Sequence, residues 1–440
     1  MISPSVHGQG ESHAGLLDYS GTASARARFD VIVVPTHRPV KRLRASIDLA
    51  RRTGLPLIVM CSRAIRHDEA IIEANEAGIE AFAFDMPAGN PLAIDFTTSV
   101  DAELAAASPD RNSDLSMKRN IGLVLARLLR WDRMMFLDDD IYWVGQRQVT
   151  TLAAALDDHK VSALIPKRGF PGNSVVCHAR RLGGGKQDVF ASASGIGVRC
   201  GHDLAFFPKV YNEDWFFFAD EAARHRIKPV GESHQRKYDP YDSPARATWE
   251  EFGDLLAEGL YARLDFGEGI WDVDASYWDY FIELRRSLHQ QIAESLTRVK
   301  HERRGEGIKA AESIRAAQEQ LERITSGLCM KFMRSWAEDL EKMVRLPGRP
   351  AAARHGRRSL RLPEHPPGSR SESIIARLAA QHPSTRRVCR TGDDWDYGYS
   401  STSASRPSST ESRCCCMALA AGLGLACIQR DWRRSSSRLR

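Results

Sequence analysis

The sequence predicts an α/β protein: a mostly parallel sheet flanked by helices, with a helical extension on its carboxyl side. Three observations carry this. Continuous apolar runs of strand length occur at residues 29–35, 55–62 and 133–137, as strands buried on both faces require. Segments with helical spacing lie between them. From residue 244 to residue 346 helical spacing alone remains.

Residues 1–28 are rich in Ser, Gly, His and Ala without periodicity, and are read as a disordered leader. The first strand is FDVIVVP, closed by the turn chemistry of Pro35-Thr36-His37-Arg38-Pro39. A loop after a first parallel strand is an expected ligand contact, so Pro35, Thr36 and Arg38 are candidates. A helix over 40–52 follows, with Leu43, Ile47 and Ala50 on one face. LPLIVMCS at 55–62 is the second strand, 67–77 the next helix, and 79–84 a third strand ending at Asp85. The order is β-α-β-α-β, with right-handed crossovers.

After a Pro-containing loop, SDLSMKRNIGLVLARLLRW places Ile121, Val124, Leu125 and Leu128 at i, i+3, i+4 and i+7, with Ser113 or Asp114 to cap the start. Lys118 and Arg119 lie near that end, where positive charge and the helix dipole suit a phosphate; an ordinary solvated first turn is the alternative. The next strand, 133–137, runs directly into Asp138, Asp139 and Asp140. Three adjacent carboxylates repel unless cations share them, which points to a hard-metal site rather than a solvated turn.

In this order PTHRP, KRNIGL and MFLDDDI resemble the nucleotide-diphosphate-sugar half of glycosyltransferases with the GT-A fold, of the family 2-like kind. The resemblance spans roughly residues 29 to 240, and the catalytic domain is set at 29–243. It implies Mn²⁺ or Mg²⁺ on the donor diphosphate, held by Asp138 and Asp140, with Asp139 at the ribose. One departure stands out. Where many relatives carry acidic residues after the second strand, this chain has Met60-Cys61-Ser62-Arg63, which leaves Asp85 as the candidate for a base contact.

Downstream, a helix is expected at 149–156 and a strand at 161–167. GFPGNS and RRLGGGKQ lack a Walker pattern and read as an acceptor loop or hairpin. VFASASGIGVRC, at 189–200, permits close backbone approach, on the acceptor side by the resemblance. Glu213 and Asp214 stand among aromatic residues in FFPKVYNEDWFFFAD. Apolar surroundings raise a carboxylate's pKa and poise it for proton transfer, though a capped helix start also explains the pair. The resemblance makes Asp214 the base of an inverting reaction, with Glu213 steadying the loop. His234 is the candidate third metal ligand; Arg236 and Lys237 are alternatives for clamping the diphosphate.

The helical stretch 244–346 could shape an acceptor pocket or form a homodimer surface. Residues 347–440 hold 17 Arg, no Lys and 7 acidic residues, a composition like that of a GC-rich gene read out of frame, and are expected to be disordered. That tail carries a net charge of +10, leaving −4 for residues 1–346 of the total of +6, so no nucleic-acid partner is expected. Nine cysteines without CxxC spacing, and no secretory signal, point to a reducing cytoplasm. The apolar run at 417–428 is too short to span a bilayer. The function expected is metal-dependent transfer of a sugar from a nucleotide-diphosphate donor to an unknown acceptor hydroxyl. The alternatives are a sugar-phosphate nucleotidyltransferase and an inactive nucleotide-sugar-binding protein.

Overall fold

The computed structural model describes residues 12–21, 27–87, 89–92, 94–109, 111–169, 174–188, 190–201 and 205–345, with the backbone of 426–427. Apart from those two residues, the tail from 346 onward lies outside the described residues.

The first half alternates strand and helix as predicted: β1 (Val31–Thr36), α1 (Arg44–Thr53), β2 (Leu57–Cys61), α2 (His67–Glu76) and β3 (Ala81–Asp85). Two short helices, α3 (Thr97–Val100) and α4 (Ala102–Ala106), lead to α5 (Leu115–Leu129) and β4 (Arg133–Leu137). Every residue of β1 and β2 is buried, as their unbroken apolar runs require. One apolar cluster joins Val33, Phe136 and Leu123; a second, on the other face, joins Ile32, Val34, Leu57 and Leu137 to α1 and α2. Gly122 lets α5 lie close on the sheet, since a Cβ there would come within 2.9 Å of the Phe136 ring.

The second half contains β5 (Ile141–Tyr142), α6 (Gln146–Ala155), β6 (Val161–Gly169), α7 (Val175–Leu182), β7 (Gly195–Arg199), α8 (Glu213–Ala223) and β8 (Ile227–Gln235). Four helices follow, α9 (Pro244–Asp265), α10 (Ala275–Leu296), α11 (Arg304–Leu321) and α12 (Ser326–Val344); Ala426–Cys427 form the last strand, β9. The sheet order is β5-β8-β6-β7-β4-β1-β2-β3-β9. Strands β1 to β4 are mutually parallel, and β7 runs antiparallel between β4 and β6. The carboxyl ends of β1, β4, β6 and β8 therefore share one edge with the amino end of β7. That edge is where ligands of open α/β sheets bind.

Three expectations change. Residues 12–21 of the expected leader are structured: Leu16 and Leu17 are buried, and Leu17 bridges to Ile227 of β8. RRLGGGKQ is neither hairpin nor open loop at its start, because α7 occupies 175–182 with Ser174 capping the Cys177 amide. The helices from 244 onward are not an appendage, since Phe252, Trp278, Phe332 and Trp336 belong to the same apolar cluster as β1 and β4. Cys61, Cys177, Cys200 and Cys329 are free thiols, and no described helix is long and apolar enough to cross a membrane.

Candidate functional site

Strand β4 delivers the three carboxylates to the shared edge, and each meets a different partner. The Asp138 amide donates to the Ser194 carbonyl at 2.8 Å, and the Asp138 carbonyl accepts from the Ile141 amide at 3.1 Å, closing a turn. Both oxygens of Asp138 accept from Arg119 Nη2 at 3.0 Å. Asp139 turns inward to the Thr36 hydroxyl (2.6 Å) and to Arg38. Asp140 lies 3.4 Å from Arg38 Nη2 and from Gln235 Nε2. Alternate residues of the run, Asp138 and Asp140, thus line a cleft of about 420 Å³, and Asp139 does not.

Burial and mutual repulsion leave their mark on these acids. Desolvation pushes Asp138 up to about 7, with Arg119 opposing it and Asp140 and Asp139 adding to it. Asp140 is also raised by burial, against the pull of Arg38.

The opposite wall of the cleft is the start of α8. Asn212, the residue before the helix, is left-handed (φ 58°), and the turn directs Glu213 and Asp214 inward. Glu213 is held at both oxygens, by Arg119 Nη1 at 2.8 Å and Arg111 Nη2 at 3.1 Å. Among the described residues Asp214 has no arginine in hydrogen-bond contact: its oxygens accept from the Ala193 amide at 2.9 Å, the Trp215 amide at 3.0 Å and the Ser192 side chain. Its pKa is raised by burial first and by the Glu213 charge second. Arg119, almost fully buried, therefore bridges the strand-end acids to the helix-start acids.

Several residues expected at a ligand have other work. Lys118 is buried and spends its ammonium on the Thr36 carbonyl (2.7 Å), the Ser62 hydroxyl (2.7 Å) and Asp114 (3.0 Å), tying the ends of β1 and β2 to α5 rather than facing the cleft. Asp85 accepts from the His67 amide (2.9 Å), pairs with its ring (2.8 Å) and with Arg66 (2.7 Å), so it anchors the start of α2. Pro35 is buried within β1, beside Met60. His234 stacks on Trp143 at 5.7 Å and 13°, and its neighbour Gln235 is the β8 residue that lines the cleft. Alternation along a strand puts successive side chains on opposite faces, which explains why one and not the other reaches Asp140.

The structure also adds residues that no sequence pattern singles out. Ser12 and His13 line the cleft from the amino-terminal segment, with His13 paired to Asp265 (2.6 Å) and Glu258 (3.2 Å). Burial alone would lower the imidazole's pKa, but the two carboxylates lift it to about 9. Tyr238 and Arg246 complete one side, the guanidinium lying 4.6 Å over the phenol ring. Arg111 had no signal, being one arginine in a polar loop.

No protein-family model matches the chain, and no curated protein sequence matches it. Among solved structures it is similar to a mannosyltransferase from Pyrobaculum calidifontis in complex with GDP-Man and Mn²⁺: 12% identity over 74% of this chain and 88% of that one, TM-score 0.34. It is also similar to glucosyl-3-phosphoglycerate synthase from Mycobacterium tuberculosis in complex with Mn²⁺, UDP and phosphoglyceric acid, with 15% identity over 54% and 79% and a TM-score of 0.35. A third is core-mannan synthase A from Aspergillus fumigatus in a Mn/GDP form, with 9% identity over 48% and 73% and a TM-score of 0.24. At these values the likenesses carry no residue assignment.

Proposed function

We propose that the protein is a metal-dependent glycosyltransferase of the GT-A type, moving a sugar from a nucleotide-diphosphate donor to an acceptor hydroxyl with inversion. One observation carries the reading: Asp138 and Asp140 from a strand end and Asp214 from a helix start, remote in sequence, line one cleft.

The donor set fits a divalent cation. Asp138 and Asp140 are hard oxygen ligands on one wall, and Mg²⁺ or Mn²⁺ held by one or two carboxylates takes its other ligands from substrate phosphates and water. Burial first, and the neighbouring carboxylates after it, raise their proton affinity, and a cation bound between them relieves both. Bound there, the ion offsets the diphosphate charge and stabilises the leaving group. In this reading the protein's share of the ligands is these two acids.

The chain's own residues do the rest. Arg119 fixes Asp138 against Glu213, which sets the spacing between the diphosphate side and the acceptor side. Asp214 accepts the acceptor hydroxyl's proton as that oxygen attacks the anomeric carbon and the bond to the diphosphate breaks. Glu213, neutralised by Arg111 and Arg119, positions the helix start and is not the base.

A thermal-shift screen of UDP-, GDP- and dTDP-sugars with and without Mn²⁺ tests the reading. At a hundredfold excess over its dissociation constant, a bound donor stabilises the fold by about 2.7 kcal/mol. At least one donor should give a shift that needs the ion. No shift with any donor would sink the proposal.

A further inference from the structure

Helix α9 touches the start of α8 through a buried polar chain. Asn212 does not cap α8 with its side chain; its amide instead donates to Asp254 Oδ1 at 3.0 Å. Asp254 Oδ2 accepts from Arg285 of α10 at 2.5 Å. Arg285 in turn donates to both oxygens of Glu251, at 2.9 and 3.0 Å, and His289 Nε2 lies 3.4 Å from Glu251. Asp254, Glu251, Arg285 and His289 are all at most 1% exposed. Beside Asp254 on α9, Gly253 presses on the same place: a Cβ there would overlap the Tyr211 carbonyl oxygen.

Two features ask for a reason. A buried ion-pair network is a poor stabiliser of a fold, because desolvating its charges offsets most of their attraction, and in some proteins such groups instead fix one geometry over others. A non-glycine residue at φ 58° costs up to roughly 1–2 kcal/mol, less for Asn than for most, and its surroundings must offset that cost. Asn212 is that residue, and among the described residues the hydrogen bond from its amide is the network's outlet toward the cleft.

We infer that Asp254, braced by Arg285, is a positioning residue for Asp214, acting through Asn212 to fix the first turn of α8. The inference rests on the glycosyl-transfer reading for what Asp214 does, but not for the coupling itself. It gives the helices beyond residue 244 a part in the site: they carry the brace that aims the base.

The substitutions separate aiming from mere backbone conformation. Asn212→Gly keeps the left-handed turn, which glycine adopts freely, and removes the tie. Asn212→Asp sets a carboxylate against Asp254. The double variant Asn212→Asp/Asp254→Asn exchanges the two groups, so that the amide now carried by α9 donates to the carboxylate before α8 while its oxygen accepts from Arg285. Amide hydrogen exchange over residues 211–218 of the full chain needs no ligand. It should speed up about tenfold in Asn212→Gly, the factor that a coupling of about 1.4 kcal/mol supplies, and return toward wild type in the exchanged pair relative to Asn212→Asp. With whichever donor is found, kcat should fall about tenfold in Asn212→Gly while the donor's KM stays within about twofold. Wild-type exchange and wild-type kcat in Asn212→Gly would overturn the inference, leaving the residue a backbone role only. If wild type transfers no sugar from any donor, the functional reading fails, and the exchange measurement still decides whether Asp254 fixes the turn. Should Asn212→Asp not fold, Asn212→Gly alone carries the test.

Discussion

The cleft has two acidic walls, and they are neutralised differently. At the end of β4, Asp139 and Asp140 share Arg38, which keeps 35% of its side-chain surface exposed, and Asp138 takes one nitrogen of Arg119. At the start of α8, Glu213 is locked by Arg111 and Arg119, both buried, while Asp214 is held by backbone amides and the Ser192 side chain. A half-exposed arginine can yield to another cation, and a buried pair cannot without leaving a charge stranded. At Asp140 the first wall is therefore built to exchange its cation, while Asp138 keeps the buried Arg119. The second is built to keep one carboxylate free of any cation in direct contact, as a base requires.

Removing the free carboxylate is the most severe way to break this contrast. Asp214→Asn keeps the side chain's shape and one of its two acceptor oxygens but not its basicity. Transfer should fall by roughly 10² to 10⁴ with donor affinity unchanged. NMR of the product should show an inverted anomeric centre. Retention, or near-normal turnover in the variant, would remove Asp214 as the base.

On the exchangeable wall the expected loss is in binding. Asp140→Ala takes away one of two oxygen ligands and should abolish Mn²⁺-dependent nucleotide affinity by calorimetry while the fold persists. Unchanged affinity would mean that the two walls do not differ as argued.

The Asp138 proton gives a smaller signal with a defined sign. Its folded pKa, about 7, lies above the ordinary 3.8, so the folded state holds more protons between those values. Stability should then fall as pH rises from about 4 to about 7, and Asp138→Asn should flatten that slope. Three pH units correspond to about 4 kcal/mol at most, but a side chain 21% exposed, and open to the cleft, is screened, so about 1–2 kcal/mol is expected. Melting curves across that range decide it. A slope that is the same in the variant would place the proton elsewhere.

How far the sequence exposed these walls follows from the range of the interactions. The strands were legible because burial on both faces leaves unbroken apolar runs, as in Val31–Thr36 and Leu57–Cys61. Asp138 to Asp140 were legible because adjacent charges are visible in one dimension. The role of Asp85 was not, since its partner His67 is a neighbour only after β3 pairs beside β2. Lys118 and Arg119 look alike in sequence, yet successive helix residues point about 100° apart, so one ties strand ends and the other enters the cleft. The segment around His13 was hidden most deeply, because Leu16 and Leu17 are isolated apolar residues in a polar stretch, and its partners Glu258 and Asp265 lie at the far end of α9.

The smallest effect predicted belongs to His234, where sequence and structure disagree about which wall it serves. As a metal ligand it would sit with Asp138 and Asp140. The fold instead pairs its backbone with Tyr142, stacks its ring on the exposed Trp143, and turns Gln235 toward Asp140. Moving His234 into the cleft would need a one-residue slip of β8, which would also carry Ser233 and Gln235 to the wrong faces. That slip is opposed along β6, where the pairing runs from Val161 beside Ile227 to Gly169 beside Gln235, with register shifts between Ala163 and Leu164 and between Pro166 and Arg168. His234→Ala should therefore leave Mn²⁺-dependent nucleotide affinity within about twofold and cost only the ring contacts with Trp143 and Tyr142, about 0.5–1.5 kcal/mol or less beside so exposed a tryptophan. A tenfold or larger loss of Mn²⁺-dependent affinity would show that β8 can shift its register when a donor binds, and that the exchangeable wall gains a third ligand the free protein keeps outside.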